Sequence, residues 1–256
     1  MKYKFPGLLA TFIFVFLAGA HSQINRLDYY DFSAGRGSQD NGGFMTANRG
    51  ATPWIDKVTG DGMKCFIDYS NPDIAFTATS FGTLSRTTNG GTTWTEIVHP
   101  NMDSTAFRAQ YWQNPVNPNI IYGAYKRRIY KSADKGDNWF FTTSYPITNV
   151  EISAVAQSKV SPGNMILITR DIPASVYRSA DEGFTWTDIS SDLPKVPADD
   201  LFADPDSSGV LFLGNDFGVY RTANNGGNWA RLGNGFPFAC RLQDNAEGFS
   251  HHGKGS

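Results

Sequence analysis

Asp40 and Asp216 stand where a pair of carboxylates could act on a substrate. Each lies six residues ahead of a short repeated segment that ends in tryptophan, so a fold built on that repeat must set both at the same level. Two carboxylates flanking a glycosidic bond can break it, one as acid and the other as base or nucleophile. The same aspartates beside glycine also read as turn formers. Phe81, the run Lys126-Arg127-Arg128 and the pair Arg170-Asp171 fall at or near that level in their own repeats. Asp61, His99, Asp103 and Asp192 fall in the segments that join one repeat to the next. Trp112 and Tyr125 offer aromatic faces, suited to stacking a sugar or to filling a core. The candidate ligand-binding residues are Asp40, Asp61, Trp112, Tyr125, Arg127, Asp171 and Asp216, and Asp40 and Asp216 are the candidate catalytic pair.

Other chemistries lack material. Of 4 histidines in the 256 residues, His21 is near the start, His251 and His252 are near the end, and His99 alone falls among the repeats. Imidazole metal centres and histidine-based nucleophilic triads need more than that, so no metal and no cofactor is expected. Cys65 and Cys240 have no CxxC spacing and could form at most one disulfide. With 22 basic against 24 acidic residues the chain lacks the basic excess of a nucleic-acid binder.

The elements that must position these residues are set by the repeat. Thr87, Asn89, Gly91, Thr93 and Trp94 occupy the first, third, fifth, seventh and eighth places of an octapeptide. Ser132, Asp134, Gly136, Asn138 and Trp139 repeat it, as do Ser179, Asp181, Gly183, Thr185 and Trp186, and Thr222, Asn224, Gly226, Asn228 and Trp229. A fifth copy, Thr46, Asn48, Gly50, Thr52 and Trp54, carries one extra residue, Pro53. Glycine supplies a left-handed turn position, Asp or Asn caps backbone N–H groups, and the hydroxyl residue adds a partner. The tryptophan is expected to begin the next strand and bury its ring between units. The unit length of roughly 45 residues suits a four-stranded propeller blade.

Strand patterns agree with that size. Met63 to Tyr69, Ile74 to Thr79, Thr83 to Arg86 and Trp94 to Val98 form one set of four, and Val150 to Ala156, Met165 to Thr169, Ser175 to Arg178 and Trp186 to Ile189 another. Proline-containing turns at Asn71-Pro72-Asp73, Asn117-Pro118-Asn119, Ser161-Pro162-Gly163 and Asp204-Pro205-Asp206 separate first from second strands. The fold class is therefore all-β, a propeller of four-stranded antiparallel blades, either about five or an arc of a larger ring. Phe236 to Leu242 reads as one more strand beyond the last complete unit.

Lys2 and Lys4, the apolar run Leu8 to Leu17 and Ala18-Gly19-Ala20 have the pattern of a cleaved secretory leader. The expected organisation is leader 1–20, linker 21–27, propeller 28–244 and tail 245–256, with export to a periplasmic, surface or extracellular location as a monomer with no further membrane span.

The octapeptides resemble Asp-box, or bacterial neuraminidase, repeats, and residues 28–238 resemble the sortilin-type and xyloglucanase-like propellers. Gln39-Asp40-Asn41-Gly42, Ile67-Asp68 with Asn71-Pro72, and Gly218-Val219-Tyr220-Arg221 carry the likeness. It implies structural roles for Asn48, Trp54, Asn89, Trp94, Asp134, Trp139, Asp181, Trp186, Asn224 and Trp229. It also implies a face opposite the boxes that binds a glycan, peptide or extracellular protein. A xyloglucanase-like hydrolase is the alternative, although xyloglucanases cut in a cleft between two propellers and this chain has one. A sialidase is disfavoured, because Arg170-Asp171-Ile172-Pro173 sits in the wrong place for the family's arginine motif.

Overall fold

The computed structural model describes residues 43–45, 55–58, 62–97, 109–125, 127–142 and 151–233. Asp40, Asp61, His99, Asp103, Asn48, Trp54 and Cys240 lie outside them. Among the described residues there are four four-stranded sheets and one two-stranded sheet, with no α-helix. The two-stranded sheet joins β1 (Gly43–Met45) to β2 (Ile55–Val58).

Each large sheet is an antiparallel meander in chain order. The first holds β3 (Gly62–Ile67), β4 (Ala75–Thr79), β5 (Leu84–Thr87) and β6 (Thr95–Ile97). The second holds β7 (Gln110–Gln113), β8 (Ile121–Tyr125), β9 (Arg128–Ser132) and β10 (Phe140–Phe141). The third holds β11 (Ile152–Gln157), β12 (Met165–Thr169), β13 (Val176–Ser179) and β14 (Thr187–Asp188). The fourth holds β15 (Ala198–Ala203), β16 (Leu211–Asn215), β17 (Gly218–Thr222) and β18 (Ala230–Arg231).

The sheets are separate but stacked. First strands approach one another from sheet to sheet, β3 to β7, β7 to β11 and β11 to β15, which is how the blades of a β-propeller gather about an axis. The cores are the joints between blades. Phe76, Leu84 and Ile97 of the first blade pack with Tyr111, Ile121 and Tyr130 of the second. Tyr122 and Ile129 pack with Met165 and Leu167, and Ile166, Ile168 and Val176 pack with Leu201, Leu211 and Leu213. Both faces of an inner blade are thus buried, and its second strand is buried throughout, as Ile121–Tyr125 and Met165–Thr169 are.

The octapeptides form the hairpin between third and fourth strands with one bonding scheme. In the third blade the Ser179 hydroxyl donates to Asp181 Oδ1 at 2.7 Å and accepts from Gly183 N at 2.8 Å. Asp181 in turn accepts from Thr185 N at 2.8 Å and from the Thr185 hydroxyl at 2.6 Å. Asn224 of the fourth blade keeps the same place, accepting from Thr222 at 2.8 Å and from Asn228 N at 3.1 Å. Gly91, Gly136, Gly183 and Gly226 all have positive φ, as the sequence predicts. The residue before each glycine is also left-handed, and in three boxes it is Lys135, Glu182 or Asn225, a feature that residue type does not announce.

The tryptophans differ from expectation in two respects. They stand one residue before the fourth strand instead of starting it. Trp229 is buried, whereas Trp94, Trp139 and Trp186 are half-buried at the joint margins. The indoles of Trp139 and Trp186 donate to their own box glycine carbonyls at 2.8 and 3.0 Å, while that of Trp229 reaches Ile189 O of the preceding blade at 2.9 Å.

Candidate functional site

Meanders of equal length sort the loops into two faces. The boxes and the first-to-second strand turns share one face, locked together by Lys135 N to Asn119 O at 2.9 Å, Glu182 N to Gly163 O at 3.0 Å and Asn225 N to Gly209 O at 3.0 Å. The second-to-third strand hairpins form the opposite rim. Their tips carry Phe81, Arg127, Ile172 with Pro173, and Asp216 with Phe217.

Three of these four tips display a large apolar side chain to solvent. Phe81 is 57% exposed, Ile172 72% and Phe217 42%. Arg127, at the remaining tip, is exposed as well. Phe81, Ile172 and Phe217 stand six, seven and five residues ahead of their boxes, and exposed apolar side chains also occur on the box face, at Tyr69, Val116, Val160 and Phe184.

The backbone beneath the tips is tied down by hydrogen bonds. Phe81 and Gly82 are both left-handed, with φ 62° and 80°. Tyr125 and Tyr111 of the next blade hold them, donating hydroxyl hydrogens to Phe81 O and Gly82 O, each at 2.7 Å. A Cβ on Gly82 would fall 1.6 Å from the Tyr125 hydroxyl oxygen, so only glycine fits. Burial, followed by the neighbouring phenols Tyr125 and Tyr130, pushes the Tyr111 pKa well above its ordinary value, which keeps it a neutral donor. Burial also raises the pKa of Tyr125. In the third blade the Thr169 hydroxyl donates to Asp171, and its oxygen accepts from Ser175 N at 2.8 Å. Arg170 N donates to Glu151 O at 2.8 Å, and its guanidinium pairs with Glu151 at 3.3 Å. In the fourth blade Phe217 N donates to the buried Asn215 side chain at 2.9 Å.

Some candidate residues stand elsewhere or serve the scaffold. Tyr125 is buried as the strut under Phe81 and presents no stacking face. Trp112 lies toward the box end of β7, stacked 5.2 Å from Tyr122, with its indole donating to Gln157 of the third blade at 3.0 Å. Asp192 leaves the rim altogether: its carboxylate accepts from Trp229 N at 2.8 Å, because the segment leaving β14 docks on the fourth box. Asp171 and half-buried Asp216 remain on the rim with Arg127. Ile172 and Phe217 are rim residues absent from the sequence candidates, and for Phe217 a local signal existed. Its adjacency to Asp216 at a two-residue hairpin was the available signal.

Among the described residues no group of three or more His, Cys, Asp or Glu side chains is placed to hold a metal ion. The Cys65 thiol lies 3.2 Å from the Thr77 hydroxyl, and burial raises its pKa.

No protein-family model matches this chain, and no curated protein sequence does. Solved structures do match by fold. The GH74 xyloglucanase from Xanthomonas campestris superposes with TM-score 0.59 at 14% identity over 74% of this chain and 34% of that one. The GH74 enzyme of Niastella koreensis gives 0.58 at 19% identity over 73% and 33%. YCF48 bound to D1 peptide gives 0.55 at 15% identity over 76% and 61%. The chain thus spans about a third of the GH74 enzymes, and the likeness to all three is one of β-propeller fold.

Proposed function

We propose that this chain is a binding module that grips a segment of another protein on its rim, through Phe81, Ile172 and Phe217 with Arg127 and Asp216 beside them. The observation that carries this reading is the exposure of the three apolar tips on hairpins stiffened from below. Rigid apolar anchors bind well because little conformational freedom is lost when they are covered. Charged neighbours then fix register and partner choice. The neighbour solved with a bound peptide shows that this fold can host such an occupant, which supports the reading here. A leader-directed export would place the partner among secreted or surface proteins.

A hydrolase reading pairs Asp216 with Asp40, which lies outside the described residues; among the described carboxylates at the rim end, Asp171 is engaged with Thr169 and Glu151 with Arg170, and Asp199 and Asp200 open β15. The test is an array of secreted proteins and their overlapping peptides, run beside a glycan panel. Peptide hits that weaken at least tenfold in Phe81→Ala, Ile172→Ala or Phe217→Ala support the proposal. Glycan hits alone, or peptide hits indifferent to all three changes, would overturn it.

A further inference from the structure

The outer strand of each blade pairs with the third strand in one register, so the residues at two of its places can be compared from blade to blade. Thr95 and Glu96 hold those places in the first blade, Thr187 and Asp188 in the third, and Ala230 and Arg231 in the fourth. In the second blade they are Phe140 and Phe141, 48% and 39% exposed. An outer strand leaves backbone N–H and C=O groups without a sheet partner, and a charged side chain there keeps other chains from pairing with them. Glu96, Asp188 and Arg231 supply that charge. Among the described outer strands β10 alone carries none.

The surroundings of β10 differ in the same sense. Phe140 pairs in register with Lys131, whose ammonium bonds to Glu182 in the box of the third blade. Phe184, 55% exposed, takes the sixth place of that box, where the box of the second blade has Asp137 bonded to Arg86. Two exposed rings therefore border one joint. Phe141 turns to the other face of the sheet, its ring 4.8 Å from that of Tyr130, with the Arg128 guanidinium 5.0 Å from its centre. Among the described residues Arg128 has no carboxylate partner. Thr142 N donates to Ile129 O at 3.0 Å, and because antiparallel bonding alternates, the N–H and C=O of Phe141 are directed away from β9.

We propose that β10 is a docking edge, to which an extended segment of another protein adds as a further strand. Successive side chains of an added strand fall on alternate faces of the sheet, so one apolar side chain meets Phe140 and Phe184 and the next meets Phe141. An acidic residue two places on, again on the Phe141 face, pairs with Arg128. Backbone bonds to Phe141 hold the strand whatever its sequence, and the three rings and the guanidinium choose among sequences. A second copy of this chain fits the surface poorly. Three rings about half exposed offer roughly 300 Å², against about 800 Å² per partner in a stable dimer. The edge lies on the outer perimeter of the second blade, apart from the rim hairpins, and does not depend on what the rim binds.

The test is a titration of the full chain with end-capped heptapeptides, threonine at both ends and every combination of valine, isoleucine, phenylalanine and glutamate at the three central places. Saturable binding of a glutamate-containing member below about 1 mM is expected, with the Phe141 amide shifting in NMR spectra. Phe141→Glu, which gives β10 the charge of the other outer strands, should weaken that binding about tenfold or more. Should that variant fail to fold, Phe140→Thr combined with Phe184→Asp supplies a second measure, with the same direction expected. N-methylation walked along the peptide should abolish binding at alternate places, as strand pairing requires. No saturable binding, or indifference to N-methylation at every place, would overturn the proposal. A dimer in sedimentation that Phe141→Glu abolishes would also overturn it, by making a second copy the occupant.

Discussion

Asp181 shows how one side chain closes a hairpin: it accepts from a hydroxyl behind it and from a backbone N–H and a hydroxyl ahead of it. Burial pushes its carboxyl up, but the donors of Thr185 and Ser179 outweigh this and leave its pKa below the ordinary value. Because Asn89 and Asn224 accept the same backbone bonds, Asp181→Asn should leave stability nearly unchanged. Asp181→Ala strips the acceptor and should cost about 1–2 kcal/mol in urea denaturation. Asp68 makes the stronger pH case. Its side chain is buried, which raises its pKa, yet Lys135 and Ser70 together pull it below the ordinary carboxylate value. A carboxylate depressed in the folded state stabilises the fold fully above its unfolded pKa, and that contribution fades as pH falls through the folded value. The melting temperature should therefore hold steady above about pH 4 and drop beneath it. In Asp68→Asn it should start lower at neutral pH and fall less on acidification.

At the scale of a blade, the box glycine is constrained twice, by its left-handed backbone and by the side chain of the preceding blade. A Cβ at Gly136 would meet the Ile97 terminal methyl carbon at 2.8 Å, and one at Gly226 would meet Ile189 Cβ at 2.7 Å. A terminal methyl can swing aside and a Cβ cannot, so Gly226→Ala should destabilise more than Gly136→Ala. Both should exceed the roughly 1–2 kcal/mol that left-handed backbone costs alone. The tryptophans should rank by burial. Trp229→Ala removes a sealed ring and its bond to Ile189 O, at a cost of about 3–5 kcal/mol. Trp186→Ala, whose ring is only partly buried, should cost less in the same denaturation series. Arg127→Ala, at an exposed tip, should stay within about 0.5 kcal/mol.

For the whole molecule, four blades in register place four hairpin tips on one rim, and the Phe81 tip is held by the neighbouring blade through Tyr111 and Tyr125. Tyr125→Phe should therefore weaken partner binding through Phe81 without touching the partner, while Phe81→Ala should lower binding with stability preserved. The isolated chain is expected to release no reducing ends from xyloglucan, and release lost in Asp216→Asn would refute that. The sequence alone determined the repeated hairpins, the four-stranded units and the all-β class, because box bonding is local: each donor and acceptor lies within four residues of its partner. It also marked the rim level, where Asp171, Asp216 and Arg127 are found. What it left open depends on contacts between blades. Tyr125 and Trp112 have the composition of binding residues, yet one became a strut under Phe81 and the other a clasp to Gln157. Asp192 lies in a joining segment whose path is set by the box it docks on, and Lys135 and Glu182, left-handed like Asn225 at the same box position, make ion pairs across the joint. Partners 37 to 67 residues apart in the chain meet only when sheets stack, so tertiary structure decided which candidates face solvent and which face the next blade.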